Sequence, residues 1–396
     1  MRERTRQIFS LLDDDAYDRR PIPLRHPIRF YEGHLASFAR GQLLQAGSLP
    51  KDPQPTLTTL FARGIDPLDQ TAAAAATIHQ WPERAEVRDY IAAVDEEMEG
   101  AIKAGADPLH LHTALEHEEM HQETLIYLIH RLPDQMKRRP NNSTLSPNGA
   151  TGTKQWIRVP AQKVQLGLRP AEAPFGWDNE FPATEVEVGA FEIESAKVTN
   201  GEFLEFVQAG GYTDERWWEP AAWQHVRTEE ITAPGFWEKT GGEWMYRGLF
   251  EAVPLPPSLP VYVSHIEALA FTRWRGCRLP TEAEWHAAAA LCSAPDARRD
   301  NFDFARWDLA PVPSEAGTPA QLAGNGWEWT STPFSGFPGF RPFDHYPGYS
   351  ADFFDDRHFV LKGASPVTPA ALVRPSFRNW FQDQYRYAYT AFRCAR

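Results

Sequence analysis

Two histidines four residues apart, His117 and His121, stand in the stretch LHLHTALEHEEMHQETLIYLIHR at 109–131. The stretch holds no Gly or Pro and is rich in helix formers. Asp107-Pro108 just ahead of it supplies an N-cap and a first-turn proline. On a helix both imidazoles leave one face a turn apart, where they can chelate a single transition-metal ion. Glu123, two positions past His121, lies about 200° round the helix. It is better placed to orient a neighbouring group than to bind the same ion. A helix with solvent-facing histidines has the same spacing, so the pair alone is a weak signal.

Ligands beyond these two must come from other elements, and residues 1–132 read as helical. Helices are expected over Arg2–Leu12, Phe30–Gln45, Leu68–His79 (with the tract Ala72–Ala76), Arg84–Ala104 and the histidine stretch. Apolar residues recur at helical spacing, as at Val87, Ile91, Val94 and Met98. Four longer helices with short connections suggest a bundle, whose interior is a usual home for metal ligands. Residues 133–155 are polar, proline-containing and aperiodic, and read as a linker. From Trp156 to the C-terminus the texture changes to short strands, turns and a few helices, expected over Val198–Gly210, Ser264–Trp274 and Thr281–Leu291. Asn200 is a candidate cap for the first of these. Thirteen of the fourteen tryptophans fall in this second part, whereas eight of the thirteen histidines precede residue 131. Two different architectures follow, in an α+β chain.

Composition narrows the partners. The chain carries 53 acidic against 40 basic residues, a net charge of −13, so it lacks the basic balance that nucleic acid binding needs. No apolar run reaches the roughly eighteen residues of a membrane span. The first twenty residues, MRERTRQIFSLLDDDAYDRR, are too charged for a signal peptide. Three cysteines, Cys277, Cys292 and Cys394, are too few for a disulfide framework. A cytoplasmic protein is expected.

The second part carries RLPTEAEW (278–285), GNGWEWT (324–330), LKGAS (361–365), RPSFRNW (374–380) and AFRCAR (391–396). In that order these segments resemble the formylglycine-generating-enzyme, or sulfatase-modifying-factor, domain, which implies a C-type-lectin-like fold over 156–396. FYEGHLASF (30–38) and HEEMHQE (117–123) resemble the iron-binding segments of DinB-like bundles. The pair of domains is similar to that of the ergothioneine-type sulfoxide synthases, together with the related selenoneine synthases.

The resemblance implies that His34, His117 and His121 bind Fe(II), with Glu123 behind them. It also implies that Asn379 and Trp380 hold hercynine, a trimethylated histidine. An indole face attracts a trimethylammonium group, and a side-chain amide can bond a carboxylate. Three neutral imidazoles leave about three positions open for a sulfur donor, a substrate imidazole and O2. Zinc also accepts three histidines. Gly324, Trp327, Glu328, Trp329 and Cys394 read as fold-defining.

The chain departs from the family pattern at several matched positions. Met120 replaces a glutamine that contacts the substrate imidazole. Phe334 and Phe337 replace a tyrosine pair that assists proton transfer, and Phe381 replaces the aspartate that holds the ammonium of γ-glutamylcysteine. A donor other than γ-glutamylcysteine is therefore expected: free cysteine, or a selenol such as a selenosugar. Tyr31, Tyr385, Tyr387 or Tyr389 could supply the missing phenol. The competing readings are a zinc-dependent DinB-like thiol transferase and a non-catalytic lectin-like binding module.

Overall fold

Helix α1 (Arg2–Ser10) opens the first of two compact units, residues 1–141 and 142–396, in a computed structural model. The structure describes residues 1–62, 80–145, 154–313 and 317–396. The helix expected over Leu68–His79, with its Ala72–Ala76 tract, lies outside the described residues. The first unit continues with α2 (Ile28–Gln45), α3 (Pro55–Phe61), α4 (Arg84–Lys103) and α5 (Pro108–His130). Helix α5 starts as its sequence dictates. The Asp107 carboxylate accepts from the Leu109 amide at 2.9 Å, and Pro108 fills a first-turn position whose N–H would have no partner.

Helix α2 packs against α3, α4 and α5, so it is buried on more than one face. Even Arg40 on it has no exposed surface. Its guanidinium makes a bidentate pair with Glu97, both bonds 2.8 Å, and lies 4.6 Å from the Tyr90 ring centroid. Beyond α5 the chain returns to the segment after α1, where the Arg138 amide donates to the Leu11 carbonyl at 2.7 Å.

The second unit is built from short strands. β1 (Trp156–Val159) pairs antiparallel with β4 (Phe191–Glu194), and β2 (Gln162–Leu166) with β3 (Thr184–Val188). β5 (Trp237–Thr240), β6 (Glu243–Arg247) and β7 (Ala252–Pro254) form a meander. β8 (Trp327–Pro333), β9 (His358–Lys362), β10 (Asn379–Gln382) and β11 (Thr390–Ala391) form a four-stranded sheet in the order β10-β9-β8-β11. Only β11–β8 is parallel within it. Helices together with a largely antiparallel sheet make the chain α+β, as expected.

Three helices, α6 (Asn200–Gln208), α7 (His265–Arg275) and α8 (Glu282–Ala289), all begin with capping boxes. In each, a Thr or Ser hydroxyl accepts from the third helical amide while that residue's Glu accepts from the cap amide. Such a cap contributes about 0.5–2 kcal/mol. The cap of α6 is Thr199, not the expected Asn200, because Thr199 has the extended backbone a cap needs and Glu202 stands at the right offset. Asn200 is already helical, and its amide donates to the Pro256 carbonyl and accepts from the Trp237 indole.

The GNGWEWT segment is structural. Glu328 is wholly buried between Lys197 and Arg393, which are equally buried, and the Trp329 indole donates to the Val263 carbonyl at 2.9 Å. Among the described residues no helix is long and apolar enough to cross a membrane.

Candidate functional site

The helical period brings His117 and His121 together on α5, their ring centroids 4.3 Å apart. Helix α2 supplies His34, whose ring lies 5.1 Å from His117 and 5.0 Å from His121. One ligand atom from each of the three falls within 4.8 Å of the others. Among the described residues no other group of three or more His, Cys, Asp or Glu side chains converges in this way.

Backbone carbonyls set the tautomers. His34 Nδ1 is 2.8 Å from the Phe61 carbonyl, and His121 Nδ1 is 2.9 Å from the His117 carbonyl. A carbonyl only accepts, so Nδ1 carries the hydrogen and Nε2 keeps a free lone pair. His34 Nε2 is buried with no hydrogen-bond partner. A buried acceptor left in that state costs about 1–3 kcal/mol, which a bound cation at Nε2 would offset. Burial drives the His34 pKa down to about 4 and that of His121 down to about 3. Burial likewise holds His117 well below the usual histidine range, with the other two imidazoles adding to the effect. All three are therefore neutral at neutral pH, the form that ligates a metal. The donor set fits a divalent first-row transition metal.

Ring orientation is fixed by packing. Phe38 stacks on His117 at 3.5 Å and 5°, and Phe30 stacks on His34 at 5.1 Å and 18°. Gly33 lets α3 approach: a Cβ there would lie 2.5 Å from the Phe61 ring. Without that approach the Phe61 carbonyl could not reach His34.

Glu123 is buried outside the nitrogen set and accepts from the Tyr127 hydroxyl one turn on. Tyr31 is buried, its ring 5.9 Å from that of His121. Met120 is half-buried next to His121 in the chain. The acidic character of HEEMHQE serves packing as well, since Glu118 pairs with Arg2 at 2.6 Å and accepts from the Thr5 hydroxyl at 2.6 Å.

In the second unit the candidate substrate residues lie along β10, where Asn379, Trp380 and Phe381 are all half-buried. Buried charge anchors the turn that leads into the strand. Arg378 forms two bonds with Glu282, of 3.0 and 3.1 Å, and Lys362 donates to the carbonyls of Pro375 and Phe377. Asn379 Oδ1 accepts from the Trp380 amide at 2.9 Å.

Phe334 lies parallel to Trp380 at 4.2 Å and 8°, so it covers one face of the indole. Phe353 is tilted at 49°, and Tyr349 meets the ring edge-on at 81°. Among the described residues no second ring lies parallel to Trp380. Phe337 does not join this group. It is buried in the core with Leu166, Val186 and Trp285, under the Arg378 guanidinium at 4.3 Å. Phe381 stacks on Tyr385 at 4.7 Å and 5°. Tyr389 is buried against Tyr262, and Tyr387 meets Tyr385 edge-on. Sequence reasoning passed over Phe38, Phe61, Glu282 and Lys362, whose roles rest on long-range contacts that carry no local spacing signal.

Comparison with known proteins matches both units. Residues 1–130 fit the DinB superfamily, and residues 141–396 fit the sulfatase-modifying factor enzyme 1-like domain. The chain is 32% identical to a hercynine oxygenase of Mycobacterium tuberculosis, over 100% of this chain and 96% of that protein. It is 27% identical to ergothioneine biosynthesis protein 1 of Neurospora crassa, over 98% of this chain and 56% of that longer protein. A formylglycine-generating enzyme of Streptomyces coelicolor is 32% identical over only 35% of this chain.

Proposed function

Because the chain belongs to the ergothioneine-type sulfoxide synthase family, which joins a DinB unit to a sulfatase-modifying-factor domain, we propose a function in the same chemistry. The protein is a cytoplasmic, non-haem Fe(II)- and O2-dependent enzyme that forms a carbon–sulfur or carbon–selenium bond on the imidazole of hercynine. The observation that carries this reading is the His34, His117 and His121 set, with the buried Nε2 of His34 lacking a partner. Iron held there would supply O2 activation and a common centre for both substrates, with about three positions open.

The chain's own residues bind and exclude. The Trp380 indole takes the trimethylammonium, Phe334 holds the ring rigid from one side, and Asn379 offers its amide to the carboxylate. Trp380→Ala is expected to weaken hercynine binding by about 1–3 kcal/mol, from cation–π and desolvated contact together. Iron content should not change. Calorimetry on the folded variant checks this, and equal affinity removes Trp380 from the site.

The donor follows from charge. Phe381, stacked on Tyr385, stands where an acid would pair with a donor ammonium, and burying an unpaired ammonium costs several kcal/mol. A large charged dipeptide is disfavoured, whereas free cysteine or a sugar-borne selenol fits. A selenol is largely ionised at neutral pH and needs less help from a base than a thiol of pKa about 8.5. That suits a chain with Phe334, which has no hydroxyl, beside Trp380.

The test is a competition assay with hercynine, iron and O2 fixed, offering cysteine, γ-glutamylcysteine and a selenosugar. Consumption of cysteine or the selenosugar is expected, and the preference between them decides sulfur against selenium. Preferential consumption of γ-glutamylcysteine sinks the donor argument, and undiminished turnover without O2 points instead to a zinc thiol transferase.

A further inference from the structure

Two of the three cysteines, separated by 117 positions in the chain, meet in space. Gly276 ends α7 in the left-handed conformation (φ 72°, ψ 34°) and turns the chain into Cys277. The next residue, Arg278, bridges Ala395 by two backbone bonds, Arg278 N to Ala395 O at 3.0 Å and the reverse at 2.8 Å. This bridge brings Cys277 beside Cys394, with Sγ to Sγ 2.8 Å. Two sulfurs on one tetrahedral metal, with bonds of about 2.3 Å, would stand about 3.8 Å apart. The observed pair is too close to clamp an ion, and only a small movement separates it from a bond of about 2.05 Å.

We propose that Cys277 and Cys394 are an oxidative modification site: a dithiol that closes to an intramolecular disulfide by exchange with a small-molecule disulfide such as oxidised glutathione. Cys277 is half-buried and reachable, whereas Cys394 has no exposed surface. Cys277 loses its proton and its thiolate attacks one sulfur of the reagent, releasing one glutathione, which takes up a proton. Cys394 then loses its proton and attacks the Cys277 sulfur, releasing the second glutathione in the same way. Two protein thiols are oxidised and one disulfide is reduced to two thiols, so the exchange balances. The hydrogen bond with Cys277, together with burial, holds the Cys394 thiol well above its ordinary value, so the more exposed Cys277 is the sulfur that reacts first. Cys292 has other partners, the carbonyls of Ala288 and Pro319.

The closed loop would enclose β8, β9 and β10, and with them Phe334, Asn379 and Trp380. A cross-link over so long a loop restricts the unfolded chain and raises the melting midpoint. In reducing cytoplasm the pair stays a dithiol, and it closes as the thiol pool becomes oxidised.

The experiment incubates the full chain with oxidised glutathione or with a dithiol reductant and counts thiols in denaturant. Three thiols are expected after reduction and one after oxidation, with the mass lower by two hydrogens and peptide mapping linking Cys277 to Cys394. The midpoint should rise by about 5–10 °C on oxidation. Cys277→Ser should abolish that rise and Cys292→Ser should keep it. Three surviving thiols, a persistent glutathione adduct, a bridge that uses Cys292, or a stoichiometric metal lost in Cys277→Ser would each overturn the proposal.

Discussion

His117→Ala is expected to purify without stoichiometric iron and without measurable turnover, while its helices stay folded. The imidazole removed is one of two that a single helical turn delivers to one point, so its loss also ends the chelate made with His121. Loss of an outer partner alone commonly costs 10–100-fold in metal affinity, and loss of a ligand should cost more. The vacated space lies against Phe38, which stacks on the His117 ring at 3.5 Å, so a moderate drop in stability should accompany the substitution. Metal analysis after anaerobic reconstitution, with circular dichroism at the helical bands, separates loss of metal from loss of fold. A folded variant that still holds one iron and turns over at the wild-type rate removes His117 from the site. A metal-free wild type would reject the iron reading itself.

The histidine pair was legible in the chain because helical spacing is written in side chains: positions 117 and 121 share a face once the segment is a helix. His34 was not legible on those terms. It comes from another helix, and only the likeness of FYEGHLASF to a family segment singled it out. The group that orients it, the Phe61 carbonyl, belongs to the backbone and has no signature in the sequence. Most helix ends fell within two residues of expectation because caps such as Asp107, Ser264 and Thr281 are local. Where two capping types adjoined, as at Thr199 and Asn200, backbone conformation decided the outcome.

Long-range contacts carried no local mark. Neither the stack of Phe334 on Trp380 nor the burial of Phe337 in the core could be read from residue type. Two aromatic substitutions three residues apart thus serve different parts of the fold. The burial of charged residues was equally unmarked. Glu282 and Arg378 are charged types that favour the surface in general, and both are about 2% exposed here.

Glu282→Ala is expected to destabilise the second unit by about 3–5 kcal/mol, because it leaves the buried Arg378 guanidinium and the Lys362 ammonium uncompensated. For a unit of this size that corresponds to a fall of roughly 10 °C in melting midpoint. Tryptophan fluorescence is the suitable probe, since thirteen of the fourteen tryptophans lie from Trp156 onward. The pH dependence gives a second check. Burial pushes the Glu282 carboxyl up, but Arg378 and Lys362 outweigh it, and the group titrates below its ordinary 4.5. Folding thus disfavours proton uptake, so the stabilisation is complete above about pH 4.5 and is lost as pH falls through the folded value. Wild type and variant should differ fully at pH 7 and converge in acid. Because Arg378 immediately precedes Asn379 and Trp380, the folded fraction of the variant should also bind hercynine more weakly, with its iron content intact. If the variant melts within a degree of wild type at pH 7 and binds hercynine equally, the buried pair is not what holds β10 in place.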